Sequence, residues 1–220
     1  MVAMLGLASA SGQTTVQQVV ARSLKARGGA ARFAAVRSLS FTGHLELAGG
    51  KSVAIASWKT ARPGRIRVEI TLPTGKQVQG YDGAHAWRIA PGQTRAAALA
   101  GAAATQVEDQ ALDFVDLLAD RNVARTLLGQ GTLDGHDYYK VGITLPTGDR
   151  FIQYIDAHTW LAFHEEYPGG VEEISDYRPV HGLLLPFRFV SGPAGKPGTV
   201  MVRDTVHINP KLAPKLFLQP

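Results

Sequence analysis

The chain has no cysteine among its 220 residues. Disulfide bonds, thiolate metal sites and a cysteine nucleophile are therefore excluded, and the sequence offers no N-terminal cysteine for a lipid anchor. Long hydrophobic runs are also missing, since none approaches the ~20 apolar residues that a membrane-spanning helix needs.

Residues 1–12 have the character of an export signal. They combine a hydrophobic run with a small-x-small ending, and Ala8 and Ala10 stand where a signal peptidase would cleave, but a basic n-region is missing. We interpret residues 1–12 as a truncated signal peptide. Residues 13–220 are then expected to form one domain that is exported to the periplasm, soluble and not lipid-anchored.

The usual signatures of catalysis and metal binding are not found. There is no G-x-S-x-G motif, and the seven histidines show no H-x-x-x-H or H-x-H pairing. D-G-H-D at residues 134–137 is the best metal candidate, but its glycine and its place between strands favour a turn. The glycine-rich residues 192–198 resemble a phosphate loop, yet Pro197 replaces the required serine or threonine. We expect no enzyme activity, metal or cofactor, with an unrecognised hydrolase as an alternative.

Two carboxylate pairs flank a P-G-G turn at residues 168–170. They are Glu165-Glu166 and Glu172-Glu173. Paired carboxylates can perform acid–base catalysis. Two strands with solvated faces explain these residues more simply, and this is the interpretation that we favour.

The chain carries a formal net charge of +5, which is compatible with anionic partners. However, Arg65, Arg67, Lys140, Arg150 and Arg188 are spread over different predicted strands, each between apolar positions. This scatter favours solvated strand faces over a nucleic-acid groove, and no nucleic-acid partner is expected.

Short strands separated by turns dominate the remaining pattern. The 24 glycines and 12 prolines suit such a chain. The clearest case is residues 62–87, where residues 65–72 alternate between polar and apolar side chains with a period of two. P-T-G at residues 73–75 and D-G at residues 82–83 then reverse the chain twice, which predicts a β-meander.

One segment of this meander recurs later in the chain. I-T-L-P-T-G occurs at residues 70–75 and again at residues 143–148, and the same offset aligns Trp87 with Trp160. Either the two halves derive from one duplicated hairpin, or two meanders use similar turn chemistry. The sequence is consistent with both explanations.

Helices are predicted at two places. T-V-Q-Q at residues 15–18 is a capping box that begins an amphipathic helix, and residues 30–36 add a second short one. Residues 91–104 carry few large side chains and are expected to be mobile. A second capping box, T-Q-V-E, predicts a helix at residues 105–120 whose apolar stripe covers the sheet.

These signals together predict a mainly β fold with helices, of the α+β type. We expect about ten or eleven strands in one strongly curved antiparallel sheet, because the connections are too short for parallel pairing. The sheet would form an unclosed barrel, with an N-terminal helix and an internal lid or plug helix inside its curve.

Three motifs follow one another in a characteristic order. Arg62-Pro63 precedes an arginine-containing strand, Y-D-G-A-H-A-W at residues 81–87 takes the place of a D-G-x-x-x-W segment, and a helical stretch follows. In these motifs the chain resembles the bacterial periplasmic lipoprotein carrier and outer-membrane lipoprotein-sorting family (LolA/LolB-like fold), over most of the chain after residue 14. S-D-Y-R at residues 175–178 looks like a less characterised branch of such proteins. The resemblance implies an unclosed β-barrel lidded by helices.

The resemblance also implies a role for Arg62 as a lid latch. A guanidinium can donate to several carbonyls of the lid helices at once, and such bonds can break without disrupting the sheet. The alternative is that Arg62 is an exposed residue held extended by the proline that follows it.

The expected function is a periplasmic carrier or chaperone that shelters acyl chains of lipoproteins or lipids in the apolar concave face of the sheet. Each buried methylene contributes about 0.8 kcal/mol, so one chain would give useful affinity. The candidate cavity residues are Phe41, Trp58, Ile66, Val68, Ile70 and Trp87, with Phe114 and Leu118 as a displaceable plug.

Two alternatives to this function are open. The same inward residues would also form an ordinary closed core, because periodicity does not distinguish a cavity wall from a core. The fold could also serve as a non-enzymatic envelope sensor or protein-interaction module. For the carrier, the expected partners are acyl chains and sorting components of the inner or outer membrane, and the protein is expected to be a monomer.

Overall fold

The computed structural model describes residues 14–47, 50–61, 63–112, 115–196 and 198–220. The strands are β1 (Ser38–Leu47), β2 (Lys51–Ala61), β3 (Gly64–Leu72), β4 (Gly75–Tyr81), β5 (Ala86–Ile89), β6 (Ala97–Ala98), β7 (Ala124–Leu133), β8 (His136–Thr144), β9 (Arg150–Asp156), β10 (Ala162–Tyr167), β11 (Gly170–Val180), β12 (Leu183–Gly192) and β13 (Thr199–Ile208). The helices are α1 (Val16–Ala26), α2 (Ala30–Ala34), α3 (Gly101–Leu112) and a 3₁₀ helix (Pro214–Leu216).

All the strands belong to one antiparallel sheet of 13 strands, in the order β6-β5-β4-β3-β2-β1-β13-β12-β11-β10-β9-β8-β7. The pairing of β1 with β13 joins the two halves of the chain into one surface. Within the described residues, β6 and β7 are the two edges and do not pair with each other, so the sheet is unclosed. The predicted mainly β, unclosed antiparallel fold is confirmed.

The number of strands exceeds the expected ten or eleven. The strand predicted at residues 65–72 corresponds to β3, and the turns predicted at residues 73–75 and 82–83 lead into β4 and β5. β6 is one of the additional strands, and it lies in the segment that was expected to be mobile. Its residues pair with Trp87 and Arg88 of β5 through backbone hydrogen bonds, which do not require the large side chains that make a strand visible in a sequence.

The N-terminal helix begins as predicted. The Thr15 amide donates to Oε1 of Gln18 at 2.9 Å, and the Gln18 amide donates to Oγ1 of Thr15 at 3.2 Å, which completes the capping box. Val19 and Leu24 of α1 are buried against the sheet.

The bounds of the internal helix were wrong. α3 begins at Gly101 and ends at Leu112, four residues earlier at its start than the predicted residue 105 and well before residue 120. Thr105 does not cap the helix. Its hydroxyl donates to the carbonyl of Gly101 inside the first turns. The alanines at residues 102–104 have the highest helix propensity of any residue, so the helix extends back through them.

The sheet is strongly curved around α3. Ile66 on β3 and Phe151 on β9 line the same cavity, although six strands lie between β3 and β9 in the sheet. Two side-chain hydrogen bonds attach α3 to β4: Nε2 of Gln79 donates to Gln110 at 2.9 Å, and the Tyr81 hydroxyl donates to Glu108 at 3.2 Å. α3 therefore lies on the concave side, close to one half of the sheet.

The C-terminal residues cover the convex face of β3 to β5. The ring of Phe217 is fully buried, and its carbonyl accepts a hydrogen bond from Nε1 of Trp87 at 2.9 Å. Arg67 donates to the carbonyl of Leu216 at 3.3 Å. No helix among the described residues has both the length and the hydrophobicity to cross a membrane.

Candidate ligand cavity

A cavity of about 1110 Å³ lies between α3 and the concave face of the sheet. Its apolar wall comes from strands β1, β2, β3, β9, β12 and β13, and its roof comes from α3. Pockets that hold small ligands commonly measure about 300–1,000 Å³, so this space is large enough for one. The principal apolar lining residues are Phe41, Leu45, Ile55, Ile66, Val68, Phe151, Phe189 and Met201.

Four of the predicted cavity residues lie on the concave face. Phe41, Ile66 and Val68 line the cavity directly. Ile70 is paired with Ile55, a lining residue, and packs against the same core cluster. These side chains come together because register places them in adjacent rows of β1, β2 and β3.

The two tryptophans of the prediction lie on the opposite face. Trp58 stands between Ser57 and Lys59, which both line the cavity, so alternation along β2 points its side chain to the convex side. Trp58 pairs with Arg67, and Gly80 pairs with Trp87, in the same outward row. Trp87 is fully buried there because the C-terminal segment covers it. Neither tryptophan contributes to the cavity wall.

Of the remaining predicted residues, the structure describes only Leu118, and it is not part of the cavity wall. Leu118 is 1% exposed and belongs to a core cluster with Leu117 and Val19 of α1, which also contains the lining residue Phe189. Arg62 and Phe114 lie outside the described residues, so the latch and the plug stay predictions.

A row of polar side chains crosses the concave face on the β9 to β13 side. Successive pairs in the strand register are Gln153 with Glu165, Glu165 with Glu172, Glu172 with Ser191, and Ser191 with Thr199. Nε2 of Gln153 donates to Glu165 at 2.7 Å, and the Ser191 hydroxyl donates to Glu172. The concave surface is therefore divided into an apolar part and a polar part.

The four glutamates of the two carboxylate pairs do not share one environment. Glu165 and Glu172 line the cavity, and Glu165 is only 7% exposed. Glu166 and Glu173 point outward, where they contact Lys140 and His164 respectively. The interpretation of solvated faces is wrong for Glu165. A strand that alternates across a sheet separates adjacent residues, so one member of each pair faces inward.

Arg203 separates the apolar part from the polar part. Its guanidinium lies 4.9 Å from the ring centroid of Phe41 and 4.5 Å from that of Phe189, and its Nη1 donates to the carbonyl of Pro186 at 3.1 Å. The sequence analysis missed this residue. In the sequence, Arg203 lies among apolar residues of β13, and this pattern predicts only that its side chain faces solvent.

One side-chain contact crosses the mouth of the cavity. The Thr147 hydroxyl, in the turn between β8 and β9, donates to Oδ1 of Asp109 on α3 at 2.7 Å. Asp109 is 5% exposed. Burial, with Asp149 close by, raises the pKa of Asp109 to about 6, although the hydrogen bond from Thr147 acts to lower it. α3 thus bridges the cavity between β4 and the β8–β9 turn.

Solved structures with the same fold are known. A LolA superfamily protein from Nitrosomonas europaea has a TM-score of 0.66 and 16% identity, covering 94% of this chain and 98% of that chain. The chain has a LolA-like fold. A DUF1329 family protein from Desulfovibrio piger gives a TM-score of 0.61 at 14% identity, covering 94% and 98% of the two chains.

A further similar structure is a protein domain from Vibrio parahaemolyticus assigned to outer membrane lipoprotein sorting. Its TM-score is 0.59 at 9% identity, and the alignment covers 91% of this chain and 94% of that one. No protein-family model and no curated protein sequence matches the chain. At such low identities the likeness concerns the LolA-like fold alone.

A second opening of the LolA-like barrel lies near α2. A cavity of about 760 Å³ is lined there by α2, by Ala61 at the end of β2 and Gly64 at the start of β3, and by the end of α3 and residues that follow it. Arg27, which is 1% exposed, forms an ion pair with Asp116 and lies 5.1 Å from the ring centroid of Phe33. This buried arginine ties the segment after α3 to the end of α1. Nothing in the sequence distinguished it from other arginines.

Proposed function

We propose that the protein is a carrier or chaperone that shelters acyl chains of lipids or lipoproteins in the concave cavity. The observation that carries the proposal is the space of about 1110 Å³ beneath α3, with its apolar part formed by β1, β2 and β3. A filled core would have been evidence against any such cargo. Each methylene placed against this wall is worth about 0.8 kcal/mol, so affinity does not depend on a specific polar contact.

The candidate acyl-chain wall is Phe41, Ile66, Val68 and Ile70. This set retains the predicted residues that face the concave side. We also propose that the protein acts in the periplasm. Its partners there would be sorting components of the inner or outer membrane. The similar fold of the Vibrio parahaemolyticus domain supports it.

Filling the cavity tests the proposal. Val68→Trp places an indole in the apolar part, and Ala54→Trp is the matched control because Ala54 is exposed on the convex side of β2. Displacing two methylenes costs about 1.6 kcal/mol, so Val68→Trp should weaken binding of a fluorescent fatty acid by at least about tenfold. Ala54→Trp should bind like the unaltered protein. Equal binding by all three proteins would contradict an acyl-chain site in this cavity.

A second function is favoured by the free edge of the sheet. β7 is an exposed edge strand, and Leu128 within it is 44% exposed. Such an edge can accept an extended segment of another protein as an additional strand, which suits an envelope sensor or interaction module. Mass spectrometry of the protein purified from its native cell discriminates the two functions: bound lipid supports the carrier, and a stoichiometric protein partner supports the module.

A further inference from the structure

The opening near α2 leads into a second cavity with apolar walls. This second cavity measures about 760 Å³ and lies between α2, the start of β3 and the segment that follows α3. Its apolar lining consists of Phe33, Ala34, Val36, Leu112, Val115 and Ala119. A hydrocarbon group bound there would remove this surface from water, which is favourable.

The second cavity is distinct from the concave one. Among the described residues, the two cavities share no lining residue. Helix α3 divides them, because Ala111 and Leu112 line the second cavity whereas Asp109 and Gln110 line the concave one. Ala111 also packs with Ile66 of β3 in one core cluster. A ligand in the second cavity would therefore leave the concave cavity unoccupied.

The carboxylates that line the second cavity are already compensated. Asp116 forms an ion pair with Arg27, which is 1% exposed. Asp120 accepts a hydrogen bond from the Asn122 amide at 2.8 Å, and Arg125 attracts its charge while donating to its carbonyl. Arg27 and Arg125 are not among the described residues that line the second cavity. They compensate the two acids from behind its wall.

Two arginines at the second cavity have no such compensation. Arg37 and Arg121 both line it, and both are exposed. The backbone amide of Arg37 donates to Oδ1 of Asn209 at 2.7 Å, but neither guanidinium has an ion pair or a hydrogen bond with any residue that the structure describes. Because the two lining acids are matched by arginines behind the wall, Arg37 and Arg121 give the cavity a positive potential.

On these grounds we propose that the second cavity binds an anionic amphiphile, with its head group at Arg37 and Arg121 and its hydrocarbon chain against the apolar lining. A guanidinium presents N–H donors in a plane that matches the oxygens of a carboxylate or a phosphate. An ammonium head would be repelled by both arginines, and an alcohol would leave their charges unmatched. The site is additional to the concave cavity and does not depend on the function proposed for that cavity.

The test compares four ligands on the full protein: dodecanoic acid, dodecyl phosphate, dodecanol and inorganic phosphate. Binding is measured by isothermal titration calorimetry at pH 7.5, below the aggregation concentration of each amphiphile. Since exposed charge pairs are individually weak, we expect the two anionic amphiphiles to bind about fivefold more tightly than dodecanol. Equal binding of the three amphiphiles would overturn the proposal.

Inorganic phosphate tests whether the chain takes part. It should bind at least about tenfold more weakly than dodecyl phosphate, because it has no methylenes to place against the apolar lining. If inorganic phosphate bound as tightly as dodecyl phosphate, the site would hold a free anion, and the proposed amphiphile would be overturned.

Variants of the arginines locate the head group. Arg37→Gln and Arg121→Gln should each reduce the preference for dodecanoic acid over dodecanol by at least about twofold, whereas Arg188→Gln should leave it unchanged. Arg188 is the matched control because it is an exposed arginine that lines neither cavity. All three variants remove one positive charge, so an equal effect in all three would mean non-specific attraction and would overturn the site.

Filling the second cavity locates the chain. Ala34 lines the cavity and its neighbour Ala35 does not, although both are exposed. Ala34→Trp should weaken the binding of dodecanoic acid at least about fivefold, and Ala35→Trp should not. Both are made in the Val68→Trp protein, whose concave cavity is filled. Circular dichroism and thermal melts verify folding, and the arginine variants of the otherwise unaltered protein test the site without Val68→Trp.

The outcomes separate this site from the carrier function. Dodecanoic acid that still binds Val68→Trp, and is lost on adding Ala34→Trp, supports the second site. If Val68→Trp alone removes all binding, the acid occupies only the concave cavity, so the carrier proposal stands and the second site is overturned. If Ala34→Trp and Ala35→Trp have the same effect, the second site is likewise overturned.

Discussion

The carboxyl of Asp109 is buried, yet it is charged at neutral pH because its pKa is below 7. Its carboxylate accepts the hydrogen bond from Thr147 that spans the mouth of the cavity. Its pKa is raised to about 6, mainly by burial and by the nearby Asp149. At a pH above this raised pKa, the charged carboxylate of Asp109 therefore destabilises the folded state. A neutral side chain at the same position would make the folded protein more stable.

We predict that Asp109 makes the protein more stable as the pH falls from about 7 towards 5. The carboxyl has a pKa of about 6 in the folded protein against an ordinary value of 3.8. The folded state therefore binds the proton more tightly between these values, and the free energy of unfolding rises as the pH is lowered. Asp109→Asn keeps an acceptor for Thr147 and should be more stable at pH 7 by roughly 1 kcal/mol after solvent screening, but not near pH 4.

Urea unfolding at a series of pH values measures this effect. Asp134→Asn serves as the control, because Asp134 is an exposed turn residue with a positive φ that asparagine tolerates. Its unfolding free energy should follow that of the unaltered protein at every pH. If the curve of Asp109→Asn also ran parallel to that of the unaltered protein, the burial of the Asp109 charge would be contradicted.

At the level of single residues, local chemistry decided which predictions succeeded. The T-x-x-Q box at Thr15 begins α1, because Thr15 has an extended backbone and its side chain accepts from the Gln18 amide, whereas the T-x-x-E box at Thr105 lies inside α3 because three alanines precede it. Glu165 and Glu166 look alike in the sequence, yet one is buried and the other faces outward. Alternation predicts that they separate, but it does not tell which of them faces inward.

Among the elements, α3 is the one that covers the cavity. It is bonded by side chains to β4 through Gln110 and Glu108, and to the β8–β9 turn through Asp109. It forms the roof of the cavity, so separation of one of these two sides would widen the entrance for a ligand of the size of an acyl chain. The β4 side has two hydrogen bonds and buries Val107 and Ala111 against Ile66. We therefore expect the Asp109 side to open.

Engineered disulfides test the direction of opening, and the absence of native cysteine makes them unambiguous. Asp109→Cys with Thr147→Cys joins α3 to the β8–β9 turn at positions whose side chains are 2.7 Å apart. Oxidation should slow the uptake of a fluorescent fatty acid by at least about tenfold, and a reductant should restore it. The measurement is stopped-flow fluorescence of the oxidised and reduced protein.

The matched control joins the other side of α3. Gln79→Cys with Gln110→Cys places two thiols at the site of a hydrogen bond of 2.9 Å between α3 and β4. Because glutamine side chains are long, a direct disulfide does not span this pair, and a bismaleimide joins the two thiols instead. This crosslink should leave uptake nearly unchanged, since that side acts as the hinge. Slower uptake in the control but not in the Asp109–Thr147 pair would reverse the assignment of hinge and mouth.

The strands were easier to predict than the helix for a physical reason. A period of two and a turn of glycine, proline or aspartate define each hairpin locally, and both copies of I-T-L-P-T-G form such hairpins, β3–β4 and β8–β9. The second copy supplies Thr147 to α3, a role that no local pattern encodes. The ion pair between Asp116, which lies beyond α3, and Arg27, which follows α1, likewise depends on the tertiary fold and not on a local pattern.

For the molecule as a whole, the C-terminal segment covers part of the convex face of the sheet. Trp58 and Trp87 were among the predicted cavity residues of the concave face. Trp87 is indeed fully buried, but beneath the C-terminal segment and on the face opposite the cavity. The sequence does not reveal that the last residues return to β3–β5, because Phe217 is separated from Trp87 by most of the chain.

This C-terminal cover should contribute strongly to global stability. Phe217 is fully buried, whereas its neighbour Leu218 is 54% exposed, so the two residues form a matched pair on one short segment. Truncating a buried phenylalanine leaves a cavity and costs about 3–5 kcal/mol, while an exposed leucine is worth no more than about 0.5 kcal/mol. Phe217→Ala should therefore lower the urea midpoint markedly and shift the emission of Trp87 to the red, and Leu218→Ala should do neither. Equal stabilities of the two variants would mean that the C-terminal segment does not hold the convex face, and the burial of Trp87 would need another cause.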